Sequence, residues 1–193
     1  EKMRGVYQTA LRKCLKAQQP KVEELKNQRL KSLDKETYFV EEVMLQGEKR
    51  GTFAGLLIVP RGYADQKQGV VLVGEHGRDA FFGIKSQSPR GLLSALLDAQ
   101  MTVFIPDVFM TGALYEGMER DRDTSHFLTY NQTDTALRVQ DILTSITYLK
   151  SRYEVETVNL VGEGKAGMWA LLAGALSDDL AGLAVQCQGM EPN

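Results

Sequence analysis

Two glycine-rich segments hold the residues of this sequence best placed for chemistry. One is Val73-Gly74-Glu75-His76-Gly77-Arg78, and the other is Leu160-Val161-Gly162-Glu163-Gly164-Lys165-Ala166-Gly167. Each follows a short apolar run, and in open parallel sheets ligand-binding and catalytic groups gather at the C-terminal ends of strands. By spacing alone, Gly162, Gly164 and Gly167 spell G-x-G-x-x-G, the pattern that lets a pyrophosphate approach a helix N-terminus. This dinucleotide-binding reading wants a carboxylate about 20 residues on, at the end of the next strand. That strand ends Val185-Gln186-Cys187-Gln188, and Asp178 and Asp179 lie before it, at the wrong end. A phosphate-binding P-loop fits less well, because Lys165 is followed by Ala166 where that motif has Ser or Thr.

The remaining chemistry-bearing residues are sparse. His76 and His126 are the only histidines. Ser125 and His126 are adjacent in sequence, and adjacent side chains rarely face each other, so they form no dyad. Tyr115, Glu116, Glu119 and Asp121 to Asp123 make an acidic stretch that reads as a solvated loop, with a metal or sugar site as the other reading. Cys14 and Cys187 sit in no CxxC pair. Metal ligation by thiolates usually needs such partners, so no metal site is expected, and two buried free thiols are expected ahead of a disulfide.

The elements that must position these residues follow from periodicity. Residues 1–36 form an arm rich in Lys, Glu, Gln and Leu, with Val6, Leu11 and Leu15, then Val22, Leu25 and Leu30, as a sparse apolar stripe broken at Pro20. That spacing predicts two helical pieces. Thr37–Leu45 and Thr52–Pro60 read as an antiparallel hairpin around a turn at Gly47–Gly51. Gly69–Gly74 is wholly apolar, the mark of a strand buried on both faces. Residues 89–99 predict a helix with Pro89 in its first turn, and Met101–Asp107 a further buried strand. A polar stretch from Thr111 to Ser125 is too irregular for either. Residues 131–152 predict a long helix on the stripe Ala136, Val139, Ile142, Leu143, Ile146 and Leu149. Val155–Gly162 reads as a strand, 165–176 as a helix and Leu180–Val185 as a last strand. Strands alternating with helices imply right-handed crossovers and a parallel sheet with helices on both faces.

Bulk properties exclude some partners. A formal net charge of −2 gives no basic surface for nucleic acid. No apolar run approaches the roughly 20 residues a membrane-spanning helix needs, so no membrane partner is expected. With 43% apolar and 25% charged residues, the 193-residue chain has the composition of an ordinary folded domain. The N-terminus reads as charged rather than as a signal peptide, and the compartment stays open.

An antiparallel hairpin, a strand ending in His76-Gly77, a strand ending in Pro106-Asp107, a long helix and then strand–glycine turn–helix together resemble the α/β-hydrolase fold. More narrowly, residues 37 to about 187 are similar to its dienelactone hydrolase and acetyl xylan esterase branch. The resemblance implies an arm over 1–36 and an α/β-hydrolase-like domain over 37–193, incomplete at its C-terminus. It implies a nucleophile on the sharp turn after the family's fifth strand, flanked by small residues two positions either side. Gly162 and Ala166 supply those flanks, which puts Gly164 at the nucleophile position. A glycine forms no acyl intermediate, so a non-catalytic, pseudoenzyme-like module is expected. A hydrolase with chemistry supplied elsewhere is the other outcome. His76, Gly77 and Lys165 are the oxyanion-loop candidates, and Arg78, Asp107 and Glu163 the binding candidates. Asp107 also reads as a residue that hydrogen-bonds a turn. The family's acid and histidine follow later strands than the sequence reaches. The implied ligand is a small ester or carbohydrate, with no cofactor. The Leu180–Val185 edge is expected to pair with a missing C-terminal part, a partner chain or a second copy, giving an oligomer.

Overall fold

The computed structural model describes residues 2–46, 51–62, 67–83, 88–112, 132–152 and 154–186. Among them run seven strands: β1 (Lys26–Asp34), β2 (Tyr38–Gln46), β3 (Thr52–Pro60), β4 (Gln68–Gly74), β5 (Thr102–Pro106), β6 (Thr157–Glu163) and β7 (Leu180–Gln186). The helices among the described residues are α1 (Lys2–Leu15), α2 (Leu92–Asp98), α3 (Asp134–Lys150) and α4 (Ala166–Leu176), with short 3-10 turns at Val22–Glu24 and Gly77–Phe81.

All seven strands belong to one sheet, in the order β1-β2-β3-β5-β4-β6-β7. The first three pair antiparallel, and β3 meets β5 antiparallel. From there β5, β4, β6 and β7 run parallel, as the alternation of strands and helices requires. Successive strand residues point to opposite faces, so β4 feeds two cores. Val71 and Val73 meet α3 and α4, where Val139, Ile142, Leu143, Ile146 and Leu149 are fully buried. Val70 and Leu72 meet Leu93 and Leu97 of α2 on the other face. The architecture is the α/β layering expected from the sequence.

Three expectations need correction. The arm is α-helical only in α1 and keeps one 3-10 turn at Val22–Glu24, because Lys26–Asp34 is a strand whose backbone pairs with β2 from Lys26↔Gln46 to Asp34↔Phe39. Leu30 and Leu33 sit at helical spacing, but an exposed edge strand needs no alternating apolar face, and the open edge of β2 supplies the partner. Pro89 lies ahead of α2, in an isolated bridge with Phe82, while Gly91 caps the helix at φ +55°. Cys14 is exposed on α1 rather than buried. The arm is nevertheless docked. Leu11 and Leu15 pack on the core, Gln132 donates to the Leu15 and Lys16 carbonyls, and Gln140 exchanges two hydrogen bonds with the Gln18 backbone.

Cys187, Ser125-His126, the acidic stretch Tyr115–Asp123 and residues 47–50 of the hairpin turn lie outside the described residues. No helix among the described residues is long and apolar enough to cross a membrane.

Candidate functional site

The site is built at the C-terminal ends of two neighbouring parallel strands, β4 and β6, which pair from Gln68↔Thr157 to Gly74↔Glu163. Beyond β6 the chain reverses through Gly164 and Lys165 directly into α4. Gly164 takes φ +64°, a left-handed value that glycine adopts without a Cβ penalty. The reversal brings α4 against its own strand. A Cβ at Gly162 would stand 2.6 Å from the Ala170 Cβ, 2.9 Å from the Ala166 carbonyl oxygen and 2.9 Å from the Gly167 Cα. Gly162 is therefore small for packing, and Gly167 and Ala170 form the surface it meets. At Gly164 the surroundings differ: a Cβ would have only ordinary contact, 3.4 Å from Glu75 Oε2.

Glu75 arrives from the end of β4. Its Oε2 accepts from the Lys165 backbone N–H at 3.3 Å, and its Oε1 lies 3.1 Å from His76 Nε2. Lys165 is the N-cap of α4, so an anion here also meets the positive end of the helix. The His76 ring itself is 76% exposed. Of the residues expected from sequence, the structure thus gathers Gly164, Lys165 and His76, and adds Glu75. Nothing in the sequence pattern marks Glu75 except a carboxylate beside His-Gly at a strand end. Glu163 closes β6 on the exposed side of the turn.

Arg78 and Asp107 form a second, internal cluster. Asp107 Oδ1 accepts from the Arg78 backbone N–H at 2.9 Å, and Oδ2 accepts from Arg78 Nε at 2.6 Å. Arg78 Nη1 donates to Glu42 Oε1 of β2 at 2.6 Å. The Asp107 side chain has no solvent contact, and the backbones of Gly77 and Gly112 lie against its carboxylate, leaving no room for a Cβ at either. Burial pushes the Asp107 carboxyl above the ordinary carboxylate range, while Arg78 pulls it back. Burial depresses Arg78 in turn, and Asp107 with Glu42 more than restores it, to above its usual value. These two candidates for ligand binding are spent on each other: they pin the loop after β4 to the end of β5 and to β2.

The segment after β5 is held from α3. Asp141, only 1% exposed, accepts from the Phe109 N–H at 2.9 Å, and Arg138 Nε donates to the Phe109 carbonyl at 2.9 Å. The Arg138 guanidinium lies 4.3 Å from the centre of the Trp169 ring on α4. One helix thus fixes the loop after β5 and braces the helix after β6. In sequence Arg138 and Asp141 look like ordinary surface charges, because three-residue spacing on α3 does not show which loop they meet.

A cavity of about 440 Å³ lies elsewhere, between the segment after α1 and α3, lined by Lys16, Gln18, Phe53, Gln132, Gln140 and Thr144. The amides of Gln132 and Gln140 are engaged in tethering that segment. The dinucleotide alternative is not favoured. The Glu75 carboxylate occupies the helix end that a pyrophosphate would need, and β7 ends in Gln186 rather than a carboxylate.

No protein-family model matches the sequence, and no curated protein is similar to it in sequence. Solved structures do match in shape. A Bacteroides fragilis protein described as a putative acetyl xylan esterase superposes with a TM-score of 0.73 at 10% identity, covering 94% of this chain and 52% of its own. Acetyl Xylan Esterase 1 from Thermoanaerobacterium sp. gives 0.58 at 13% identity, over 91% of this chain and 61% of its own. The glucuronoyl esterase of Solibacter usitatus gives 0.57 at 13%, over 91% and 56%. The chain therefore spans between about half and three-fifths of the length of these enzymes. The hairpin, the strand order, the glycine turn and these likenesses converge: the chain has the α/β-hydrolase fold of the acetyl xylan and glucuronoyl esterases.

Proposed function

We propose that this chain is an esterase-like α/β-hydrolase module that does not itself carry out acyl transfer, and that it binds or scaffolds instead. One observation carries the reading: Gly164 stands at the apex of the β6–α4 turn, where the fold presents its nucleophile. Covalent ester hydrolysis needs an oxygen or sulfur nucleophile activated by a base, and this position offers no side chain. The crowding around Gly162 supports the register, because the small flank falls two residues before Gly164 as the fold requires. The neighbours act on acetyl xylan and glucuronoyl esters, so acetylated or esterified carbohydrate is the ligand class proposed here. We also propose that a further polypeptide strand adds along the β7 edge.

Hydrolysis of p-nitrophenyl acetate by the purified chain tests the reading. Turnover should not exceed the buffer rate, and Gly164→Ala should change nothing. Hydrolysis well above buffer that survives Gly164→Ala would overturn it and point to a nucleophile elsewhere.

A further inference from the structure

The turn at Gly164 has space for a side chain, but that space is not open. A Cβ built there has Glu75 Oε2 at 3.4 Å, Cδ at 3.5 Å and Cγ at 3.8 Å as its nearest neighbours, all from one residue. The same Oε2 takes the Lys165 N–H, and Oε1 is held by His76. Glu75 comes from the end of β4, the strand paired with β6, so the contact links the two loops that flank the turn.

We propose that Glu75 is a built-in plug of the Gly164 turn: its carboxylate closes the space over residue 164 and occupies the Lys165 amide. This rests on reading the turn as an emptied nucleophile elbow, and it adds that the elbow is also shut. Two properties follow. A group introduced at 164 is shielded by the bulk of Glu75. A negative charge developing there is opposed by the carboxylate, because like charges at this distance disfavour each other.

A thiol at the position reads both properties without any catalytic activity. The probe is an aromatic disulfide reagent applied to Gly164→Cys in a Cys14→Ser, Cys187→Ser background, where the thiolate is the reacting species. With Glu75 in place, thiol–disulfide exchange should be slow. Adding Glu75→Gln should speed it about threefold if the charge shuts the site, since a thiol whose pKa falls by about one unit gains thiolate but loses part of its nucleophilicity. If only Glu75→Ala speeds it, bulk shuts the site, and the plug stands in that form. Equal rates in all three proteins overturn the proposal.

The unmodified chain gives a second readout, independent of whether the cysteine variant folds. The Lys165 amide, whose N–H is taken by Glu75 Oε2, should exchange slowly with solvent deuterium, and Glu75→Ala should speed that exchange. A Lys165 amide that exchanges at the same rate in both proteins overturns the plug. These outcomes are separable from ester turnover, which bears on the emptied elbow alone.

Discussion

At Asp107 a carboxylate without solvent contact depends on a single guanidinium, and its removal is the sharpest single-residue test. Arg78→Ala leaves a buried, unpaired charge, a change that costs about 3–5 kcal/mol in comparable cases. Urea denaturation should show a loss of that order, with only partial recovery in Arg78→Lys, because an ammonium cannot reproduce the two-pronged contact to Asp107 and Glu42. A loss below about 1 kcal/mol would show that the pair is replaceable and that Asp107 is available for other work. Tyr148 makes a second test. It is 2% exposed and packs its ring 4.9 Å from that of Phe104, and burial pushes its hydroxyl up to about 12. Between its ordinary value of 10.0 and about 12, the folded chain keeps a proton that the unfolded chain has released. The stability this group contributes is therefore complete below the lower value and lost as pH rises through the upper one. Unfolding free energies from denaturant titrations across that window should fall by up to about 1.4 kcal/mol per pH unit from this group, and Tyr148→Phe should remove that part of the slope. The candidate site was only partly legible at this scale. Gly164 and its flanks were implied by the resemblance, whereas a sequence cannot tell a carboxylate that meets a ligand from one that meets an arginine 29 residues away.

Elements are constrained by what fits between them, and the two glycines of the β6–α4 turn separate packing from conformation. Gly162 faces α4 with backbone atoms at 2.9 Å from any added Cβ, and backbone cannot yield as a side chain can. Gly164 has room, but its φ of +64° charges an alanine only the left-handed penalty of about 1–2 kcal/mol. Thermal unfolding should thus rank Gly162→Ala below Gly164→Ala in stability, with Gly162→Val lower still or unable to fold. The reverse order would mean that α4 can move off the strand. The small flanks Gly162 and Ala166 were implied by the resemblance, and the structure shows what the first is small for: a Cβ there would meet Ala166, Gly167 and Ala170. β1 was not readable in the same way. Lys26–Asp34 is exposed along its whole length, so no buried face stamps a two-residue period on it. Its Leu30 and Leu33 then favour a helix, and the free edge of β2 overrides that preference through eight paired residues.

At the scale of the molecule, the parallel pairing of β4 to β7 was implied by alternation, and that much of the sheet could be foreseen. What alternation could not supply is how each edge ends. The β1 edge carries Lys26, Arg29, Lys31 and Asp34 and a register break between Arg29 and Lys31, the devices that keep an edge strand from recruiting another chain. The β7 edge, Leu-Ala-Gly-Leu-Ala-Val-Gln, has no charge and no proline, and it leaves Leu183 at 41% and Val185 at 38% exposure. An unguarded strand of this kind is a template for one more strand. Sedimentation of the purified chain should therefore give a mass above that of the monomer at micromolar concentration, rising with concentration. Val185→Lys places a charge on the edge at a residue already in solvent, so it should restore a monomer while leaving the melting temperature nearly unchanged. A monodisperse monomer in the unmodified chain would remove the proposed partner at β7. An oligomer that Val185→Lys leaves intact would move the interface elsewhere, with the exposed Met3, Val6 and Tyr7 of α1 as the next surface to substitute.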